Sequence, residues 1–414
     1  MTLSDHELDT RVAHMLQEVL RRTHLSAAAD LASVVAEEAR ALGADAVRLY
    51  VIDYEQRLLV PLPVPGAEGL EPLAVGGTVA GRAFATTDII DVEAGGGGRR
   101  LWLPLLDGTE RLGAMEATFP AHAEPLPVTL VTPLERLAHL VASSVVAKGA
   151  YSDFFELHRR RGSMTMASEL LWALVPPLVL GGDDFVLAAL LEPCYDAGGD
   201  AFDYALNGRV LHFAVLDAMG HGLTAAGMSA FALSAYRHRR RRGDGPAAAY
   251  NAIDAALFEQ FPTSSRFVTA VFAELDLDSG RLSWVSAGHP APLLLREGRV
   301  VKTLDAPPAL PLGLRLADEP VVAGEESLEP GDMVLLYTDG LTEARRPGGE
   351  LFTVERLGRF IEREAASGLA APEVLRRLRA AIIERREGAL RDDATALLVE
   401  WRRGGERLLV PDTV

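Results

Sequence analysis

Within residues 196–222, Asp200 and Asp217 have neighbours that are typical of catalytic or metal-binding carboxylates. Asp200 follows two glycines, which let the backbone approach a ligand closely, and Asp217 ends an apolar run before a glycine-rich loop. Asn207-Gly208 lies between them and is a strong hairpin signal. Two carboxylates at the ends of paired strands repel each other, and a bound cation turns that repulsion into binding energy. From these residues alone, two surface turns that happen to contain aspartate are the alternative.

The same pattern returns twice near the C-terminus. Asp339-Gly340 follows an apolar run, and the pair Asp392-Asp393 immediately precedes another. Hard cations such as Mg²⁺ and Mn²⁺ prefer oxygen ligands, and two such ions activate water and clamp a phosphoryl group. The four positions together predict metal-assisted hydrolysis of a phosphate ester.

Composition limits the number of domains, the classes of partner and the cellular location that we expect. With 414 residues, 49% of them hydrophobic, the chain has material for two or three domains. The net charge of −17 disfavours nucleic-acid binding, and the basic run 237–242 is expected to be a solvated helix end. The single cysteine, Cys194, excludes an internal disulfide framework. The N-terminus has no signal-peptide pattern and no long uninterrupted apolar stretch occurs, so we expect a cytoplasmic protein without a membrane span.

Residues 1–149 have helical periodicity at the start, then alternating strands, the last two of them around a turn at Asp107-Gly108. A long amphipathic helix, with apolar spacing that runs from residue 132 to 161, is expected to close the region. The segments 77–92 and 100–117 resemble the second half of a GAF domain. That resemblance implies an α/β sensor domain with flanking helices, which either binds an unidentified ligand or serves only as a dimerising scaffold. Residues 150–177 have apolar positions at helical spacing and predict a helical linker that ends at two prolines. Such a linker either pairs across a homodimer, for which residues 135–175 are the candidate, or packs as an ordinary helix.

Five ordered motifs occupy the C-terminal half of the chain. They lie at residues 195–204, 216–226, 286–292, 336–344 and 391–399. Together they resemble the PPM (protein phosphatase 2C-like) family, in particular its bacterial branch of sporulation-stage-II and RsbU-like sigma-factor regulatory phosphatases. The resemblance implies an αββα sandwich over residues 178–403, followed by a tail at 404–414. The whole chain is therefore expected to be α+β.

The resemblance also assigns roles in a site for two divalent cations, Mn²⁺ or Mg²⁺. It implies that Asp217 bridges both ions, that Asp200 and the backbone carbonyl of Ala218 ligate one of them, and that Asp339 and Asp392 hold the other. Asp393 is expected to support the ligands from behind. The chain departs from the family at Ala218-Met219, where Val-Ser is usual, and it has no clear counterpart of the arginine that grips phosphate in eukaryotic members.

The function implied is a protein serine/threonine phosphatase that uses two-metal-activated water without a phosphoenzyme and is controlled by the N-terminal sensor. Its substrate would be a phosphorylated regulatory protein, by analogy with the branch a STAS-type anti-sigma-factor antagonist. His221, His289 and Cys194 are expected to be structural. Two other functions fit parts of the pattern. One is a PPM scaffold that binds a signalling partner without cleaving it. The other is a diguanylate cyclase, which residues 198–202 suggest, but the acidic residue expected after Asp200 is absent.

Overall fold

The computed structural model describes residues 5–65, 69–94, 96–120, 124–196, 198–262, 266–314, 320–343, 352–383 and 393–402. These residues form two compact units, divided between Arg161 and Gly162. The division falls inside the segment predicted to be a linker. The domain boundaries at 149, 177 and 403 stay predictions, and the tail at 404–414 lies outside the described residues.

The first unit combines one sheet with helices on both of its faces. Its helices are α1 Asp5–His24, α2 Leu31–Glu38, α3 Val79–Thr86, α4 Val128–Gly149 and α5 Phe154–Arg159. Its strands are β1 Ala46–Ile52, β2 Leu58–Pro61, β3 Leu73–Ala74, β4 Ile90–Ala94, β5 Gly98–Asp107 and β6 Glu110–Phe119. The strand order is β3-β2-β1-β6-β5-β4.

Strand alternation divides the core of the first unit into two layers. On β1, Leu49 and Val51 join the layer under α1, α2 and α4, whereas Tyr50 and Ile52 join the layer under α3. The turn predicted at Asp107-Gly108 connects β5 to β6. The unit is therefore mixed α and β, as predicted, while its assignment as a GAF domain stays a prediction.

Helix α4 is the one helix of the described residues that is long and apolar enough to cross a membrane. Its Leu134, Leu137 and Val141 are fully or almost fully buried in the core of the first unit. A core helix of a globular domain passes the same test of length and composition, so this feature is weak evidence for a membrane span.

The prediction of one long helix that continues through residue 161 is wrong, because the helix ends earlier. Helix α4 ends at Gly149, and α5 is a separate helix of 6 residues. Glycine in a helix costs about 1 kcal/mol relative to alanine, and Gly149 is the last residue of α4. In the second unit, Thr165 then starts α6, Met166–Trp172, because its hydroxyl caps the backbone N–H of Ser168.

The second unit contains the remaining helices and two further sheets. After α6 its helices are α7 Leu223–Arg240, α8 Pro246–Gln260, α9 Asp339–Thr342, α10 Val354–Ala366 and α11 Ala371–Ile383. Its first strands are β7 Val179–Gly182, β8 Phe185–Glu192, β9 Asp200–Asn207, β10 Val210–Ala218, β11 Val268–Asp276 and β12 Arg281–Ala287. Its last strands are β13 Leu293–Arg296, β14 Arg299–Thr303, β15 Gly324–Ser327, β16 Asp332–Tyr337 and β17 Ala394–Trp401.

The two sheets of the second unit pack face to face. One sheet has the order β15-β12-β11-β10-β9, the other β14-β13-β16-β17-β8-β7, and the paired strands are antiparallel. The apolar core between them is built from alternate residues of both sheets, such as Phe213 and Val215 of β10 and Leu397 and Val399 of β17.

Helices cover the outer faces of this sandwich. The opposite residues of β10, Ala214 and Leu216, pack under α7 and α8, and α11 packs against β8 and β17 of the other sheet. The layers are therefore helix, sheet, sheet, helix, and the predicted α+β class with an αββα sandwich is confirmed.

Candidate functional site

Asp200 and Asp217 face each other as the last cross-strand pair of β9 and β10. The hairpin turn at Asn207-Gly208 sets the register that pairs these two carboxylates. Asp217 has the same strand parity as Val215, which belongs to the core between the sheets. The carboxylate pair therefore ends the apolar rows of the sandwich, at one edge of the space between the two sheets.

A threonine from the other sheet reaches Asp200. Thr338 follows β16, and its hydroxyl donates to Asp200 Oδ2 at 2.7 Å. The same hydroxyl oxygen accepts the backbone N–H of Thr395 on β17 at 2.9 Å. Thr338 thereby links Asp200 of one sheet to two strands of the other.

Asp393 holds the loop that presents Asp200. Its Oδ2 atom accepts the backbone N–H groups of Gly198 at 2.6 Å, Gly199 at 2.6 Å and Asp200 at 3.1 Å. A side chain at position 199 would place its Cβ 2.4 Å from the carbonyl oxygen of Ala218, so only glycine fits there. Asp393 was predicted to support the ligands, and in the structure its side chain binds the backbone of residues 198–200.

The electrostatics of the pair favour a bound cation. Asp200 is 1% exposed. Burial, followed by the charges of Asp217 and Asp393, raises the pKa of Asp200 well above its ordinary value, and the hydrogen bond from Thr338 opposes that rise. The negative charge gathered here is unfavourable in a poorly hydrated place, and a divalent ion would offset it.

Ala218 and its neighbours shape the exit from β10. Ala218 is fully buried, and its N–H donates to the carbonyl of Gly199 at 3.2 Å. Met219 N–H donates to the carbonyl of Phe267 at 3.0 Å. Gly222 has a positive φ of 75° and is the residue immediately before α7. The carbonyl oxygen of Ala218 therefore lies against the backbone of Gly199, and its role as a metal ligand stays a prediction.

Asp339 and Asp392 are the remaining predicted metal ligands, and only Asp339 lies within the described residues. Asp339 is the first residue of α9, directly after Thr338, and it is exposed. A Cβ on the next residue, Gly340, would lie 1.6 Å from the carbonyl oxygen of Asp393, so this turn packs closely on the start of β17. Asp392 lies outside the described residues.

The donor set fits a hard divalent cation. The described candidates are carboxylate and carbonyl oxygens from Asp200, Asp217, Ala218 and Asp339, which suit Mg²⁺ or Mn²⁺ better than Zn²⁺. In the described part of the chain, no three His, Cys, Asp or Glu side chains form a complete ion site by themselves. These oxygens would therefore act together with water molecules, which Mg²⁺ usually retains.

Three other predicted residues lie around this edge with different surroundings. His221 is exposed in the loop before α7. His289 is buried, with both ring nitrogens hydrogen-bonded. The thiol of Cys194 is buried and donates to Glu192 Oε1 at 3.1 Å, in a structural setting.

The expectation that the basic end of α7 is only solvated is wrong for two of its arginines. Arg237 Nη2 lies 2.8 Å from Asp203 Oδ1 and Arg240 Nη1 lies 2.7 Å from Asp203 Oδ2. Asp203 is on β9 and is 1% exposed. Helix α7 is thus attached to the strand that begins at Asp200, through a pairing of distant residues that the local charge pattern does not reveal.

Comparisons with known proteins relate the C-terminal half of the chain to a known family. Residues 207–402 match the family model described as Stage II sporulation protein E (SpoIIE). Phosphoserine phosphatase RsbU of Bacillus subtilis is 25% identical over 214 residues, which cover 51% of this chain and 62% of that protein. Phosphoserine phosphatase RsbP of the same organism is 24% identical over 175 residues, which cover 41% and 42% respectively. The chain thus spans less than two thirds of these relatives.

A solved structure of the RsbU and RsbW domains of a Mycobacterium tuberculosis protein is 30% identical, with a TM-score of 0.45, and the match covers 59% of this chain and 64% of that one. The family match extends from the end of β9 to the end of the described chain and includes Asp217 and Asp339. Residues 207–402 are therefore similar to the SpoIIE family, and the curated relatives that match the chain include phosphoserine phosphatases.

Proposed function

We propose that this protein is a metal-dependent protein serine/threonine phosphatase. The observation that carries the proposal is the cross-strand pair of Asp200 and Asp217, placed at the edge of the inter-sheet core and linked to the second sheet through Thr338. The names of the relatives RsbU and RsbP, both phosphoserine phosphatases, support the same reaction.

The chain's own residues would prepare the site for two divalent ions, Mn²⁺ or Mg²⁺. The carboxylates of Asp200, Asp217, Asp339 and Asp392 and the backbone carbonyl of Ala218 would hold these ions. When bound, these ions would activate a water molecule and neutralise charge on the phosphoryl group. Asp393 keeps the 198–200 backbone in place through its three N–H contacts, and Thr338 orients the Asp200 carboxylate.

The substrate we propose is phosphoserine or phosphothreonine on a regulatory protein. By analogy with the family, we propose that this regulatory protein is a STAS-type anti-sigma-factor antagonist. Asp339 is exposed, so a phosphorylated side chain on a large molecule can reach this edge of the site. Control by the first unit, an unidentified GAF ligand, a homodimer through residues 135–175 and a cytoplasmic location are part of the same proposal and rest on the sequence.

The test is phosphate release by the full chain from a protein phosphorylated in vitro on serine, compared with the same protein phosphorylated on tyrosine. We expect release from phosphoserine in Mn²⁺, none in EDTA, and little release from phosphotyrosine. Asp278→Asn is the control, since Asp278 lies in an exposed turn, with a side chain that is 68% exposed. Metal-independent release, or no release under any of these conditions, would contradict the proposal, and no release would favour the non-cleaving scaffold.

A further inference from the structure

His289 lies in the crossover between the two sheets of the second unit. It follows β12 of one sheet and precedes β13 of the other. The loop has a fixed shape, because Gly288 has a φ of 63° and a Cβ there would lie 2.5 Å from Pro311 Cγ. Gly288 N–H also donates to the carbonyl of Ala309 at 2.9 Å, and the Ser286 hydroxyl donates to the carbonyl of His289 at 2.8 Å. The imidazole is therefore held at a defined place.

The hydrogen bonds of His289 define one tautomer. Nε2 lies 3.0 Å from the carbonyl oxygen of Tyr337, which can only accept, so Nε2 carries the hydrogen. Nδ1 then accepts the hydroxyl of Thr269 at 2.8 Å. Burial lowers the pKa of His289 to about 4, against the opposing effect of the Tyr337 carbonyl. The ring is thus neutral at physiological pH, with both nitrogens engaged.

Each partner of His289 belongs to a segment close to a carboxylate of the site. Thr269 on β11 stands directly opposite Asp217 on β10. Tyr337 ends β16 and is followed by Thr338, the residue that donates to Asp200, and then by Asp339. A single neutral ring therefore connects the Asp217 end of one sheet to the Asp339 end of the other.

We propose that His289 is a positioning residue of the carboxylate site, and that its ring fixes the spacing between Asp217 on one sheet and Asp339 on the other. The inference rests on the proposed function and adds a residue that does not touch the ions or the substrate. The bond between Thr338 and Asp200 links the same two sheets. Loss of the His289 link would let the two carboxylate-bearing ends move apart, and ion affinity would fall.

The test uses full-length variants in matched pairs. His289→Leu removes both hydrogen bonds, whereas the amide of His289→Gln can donate to Tyr337 and accept from Thr269. Thr269→Val removes only the hydroxyl, and Thr269→Ser keeps it. The control is His212→Leu: His212 is on β10, is 7% exposed like His289, and bonds to Glu274 at the other end of the strand.

Two quantities are measured for each variant: Mn²⁺ affinity by titration calorimetry, and the Mn²⁺ concentration that gives half-maximal hydrolysis of p-nitrophenyl phosphate. We expect His289→Leu and Thr269→Val to weaken both about 10-fold or more, which is the usual effect of removing a group that orients metal ligands. His289→Gln and Thr269→Ser should recover most of the affinity, and His212→Leu should bind Mn²⁺ normally.

Unchanged Mn²⁺ affinity in a folded Thr269→Val protein would overturn the inference, and so would an equal loss in His212→Leu. Thr269→Val preserves the side-chain shape and carries the test if His289→Leu does not fold. A wild-type chain that binds Mn²⁺ but hydrolyses nothing would refute the proposed function alone, and the calorimetric ranking would still decide the role of His289. A wild-type chain that binds no Mn²⁺ would contradict both.

Discussion

The hydroxyl of Thr338 donates to Asp200 Oδ2 at 2.7 Å, and this contact joins residues 138 positions apart that lie on different sheets. Thr338 is fully buried and Asp200 is 1% exposed, so the contact is shielded from water. Its hydroxyl satisfies the buried carboxylate and also accepts the N–H of Thr395. The orientation of a predicted metal ligand is therefore set by the packing of the whole sandwich.

Replacement of Thr338 by valine should impair both stability and ion binding. A hydrogen bond to a charged group contributes about 1.5–3 kcal/mol, and valine keeps the shape while removing the hydroxyl. We expect destabilisation of that order and a Mn²⁺ requirement raised about 10-fold or more. Thr338→Ser, which keeps the hydroxyl, is the matched comparison. Equal Mn²⁺ requirements for the valine and serine variants would show that the contact does not orient Asp200.

Asp200→Asn should abolish activity and stabilise the ion-free chain. The pKa of Asp200 is raised in the folded state, so between its ordinary pKa and the raised one the folded chain binds more protons than the unfolded chain. Stability is therefore lost as pH rises through that window. The neutral amide removes this cost, so we expect the variant to be more stable than wild type at pH 7 in EDTA. Thermal unfolding of both proteins between pH 4 and 8 measures it; a variant less stable than wild type at pH 7 would contradict this reading.

His289 should make the chain sensitive to acid. Its folded-state pKa of about 4 is below the ordinary value of 6.5, so the unfolded chain binds a proton in this window that the folded chain does not. Stability falls as pH decreases from 6.5 towards 4, by an amount on the order of 3 kcal/mol. Urea unfolding at several pH values should show a shallower acid loss for His289→Gln than for wild type. Parallel curves for the two proteins would disprove it.

Gly199→Ala should be more damaging than an ordinary glycine substitution. The added Cβ would lie 2.4 Å from the carbonyl oxygen of Ala218, and backbone on both sides would have to shift. We expect loss of most hydrolytic activity together with destabilisation of about 1–3 kcal/mol from overpacking. Gly227→Ala is the control, because Gly227 is inside α7 with open space around its Cβ position. Similar activity in the two variants would argue against a close approach at residue 199.

The sequence pattern predicted the β9–β10 hairpin and the two aspartates at its open end, because these depend on residues close together in the chain. The hairpin at Asn207-Gly208 fixes the β9–β10 register, and that register alone brings Asp200 opposite Asp217. The αββα arrangement came from the family resemblance, because the pairing of distant strands is not legible in periodicity.

Contacts between residues far apart in the chain were missed. Thr338 and the triple N–H contact of Asp393 both join segments more than a hundred residues from their partners. One signal was present: Thr338 has the strand parity of Val334 and Leu336, both in the inter-sheet core, so its side chain was expected to face the space between the two sheets. The prediction of a continuous helix through residue 161 was wrong because it relied on the helical spacing of apolar residues and gave too little weight to Gly149 and Gly162.

The most direct measurement is the rate of p-nitrophenyl phosphate hydrolysis as a function of Mn²⁺ concentration, for wild type and Asp217→Asn. Asp217 is the half-buried partner of Asp200, and asparagine keeps its shape while removing its charge. We predict saturable, EDTA-sensitive hydrolysis by wild type and at least a 100-fold slower rate for the variant, which corresponds to about 2.7 kcal/mol. Hydrolysis by Asp217→Asn at the wild-type rate would contradict the claim that this carboxylate pair is the metal-dependent catalytic site.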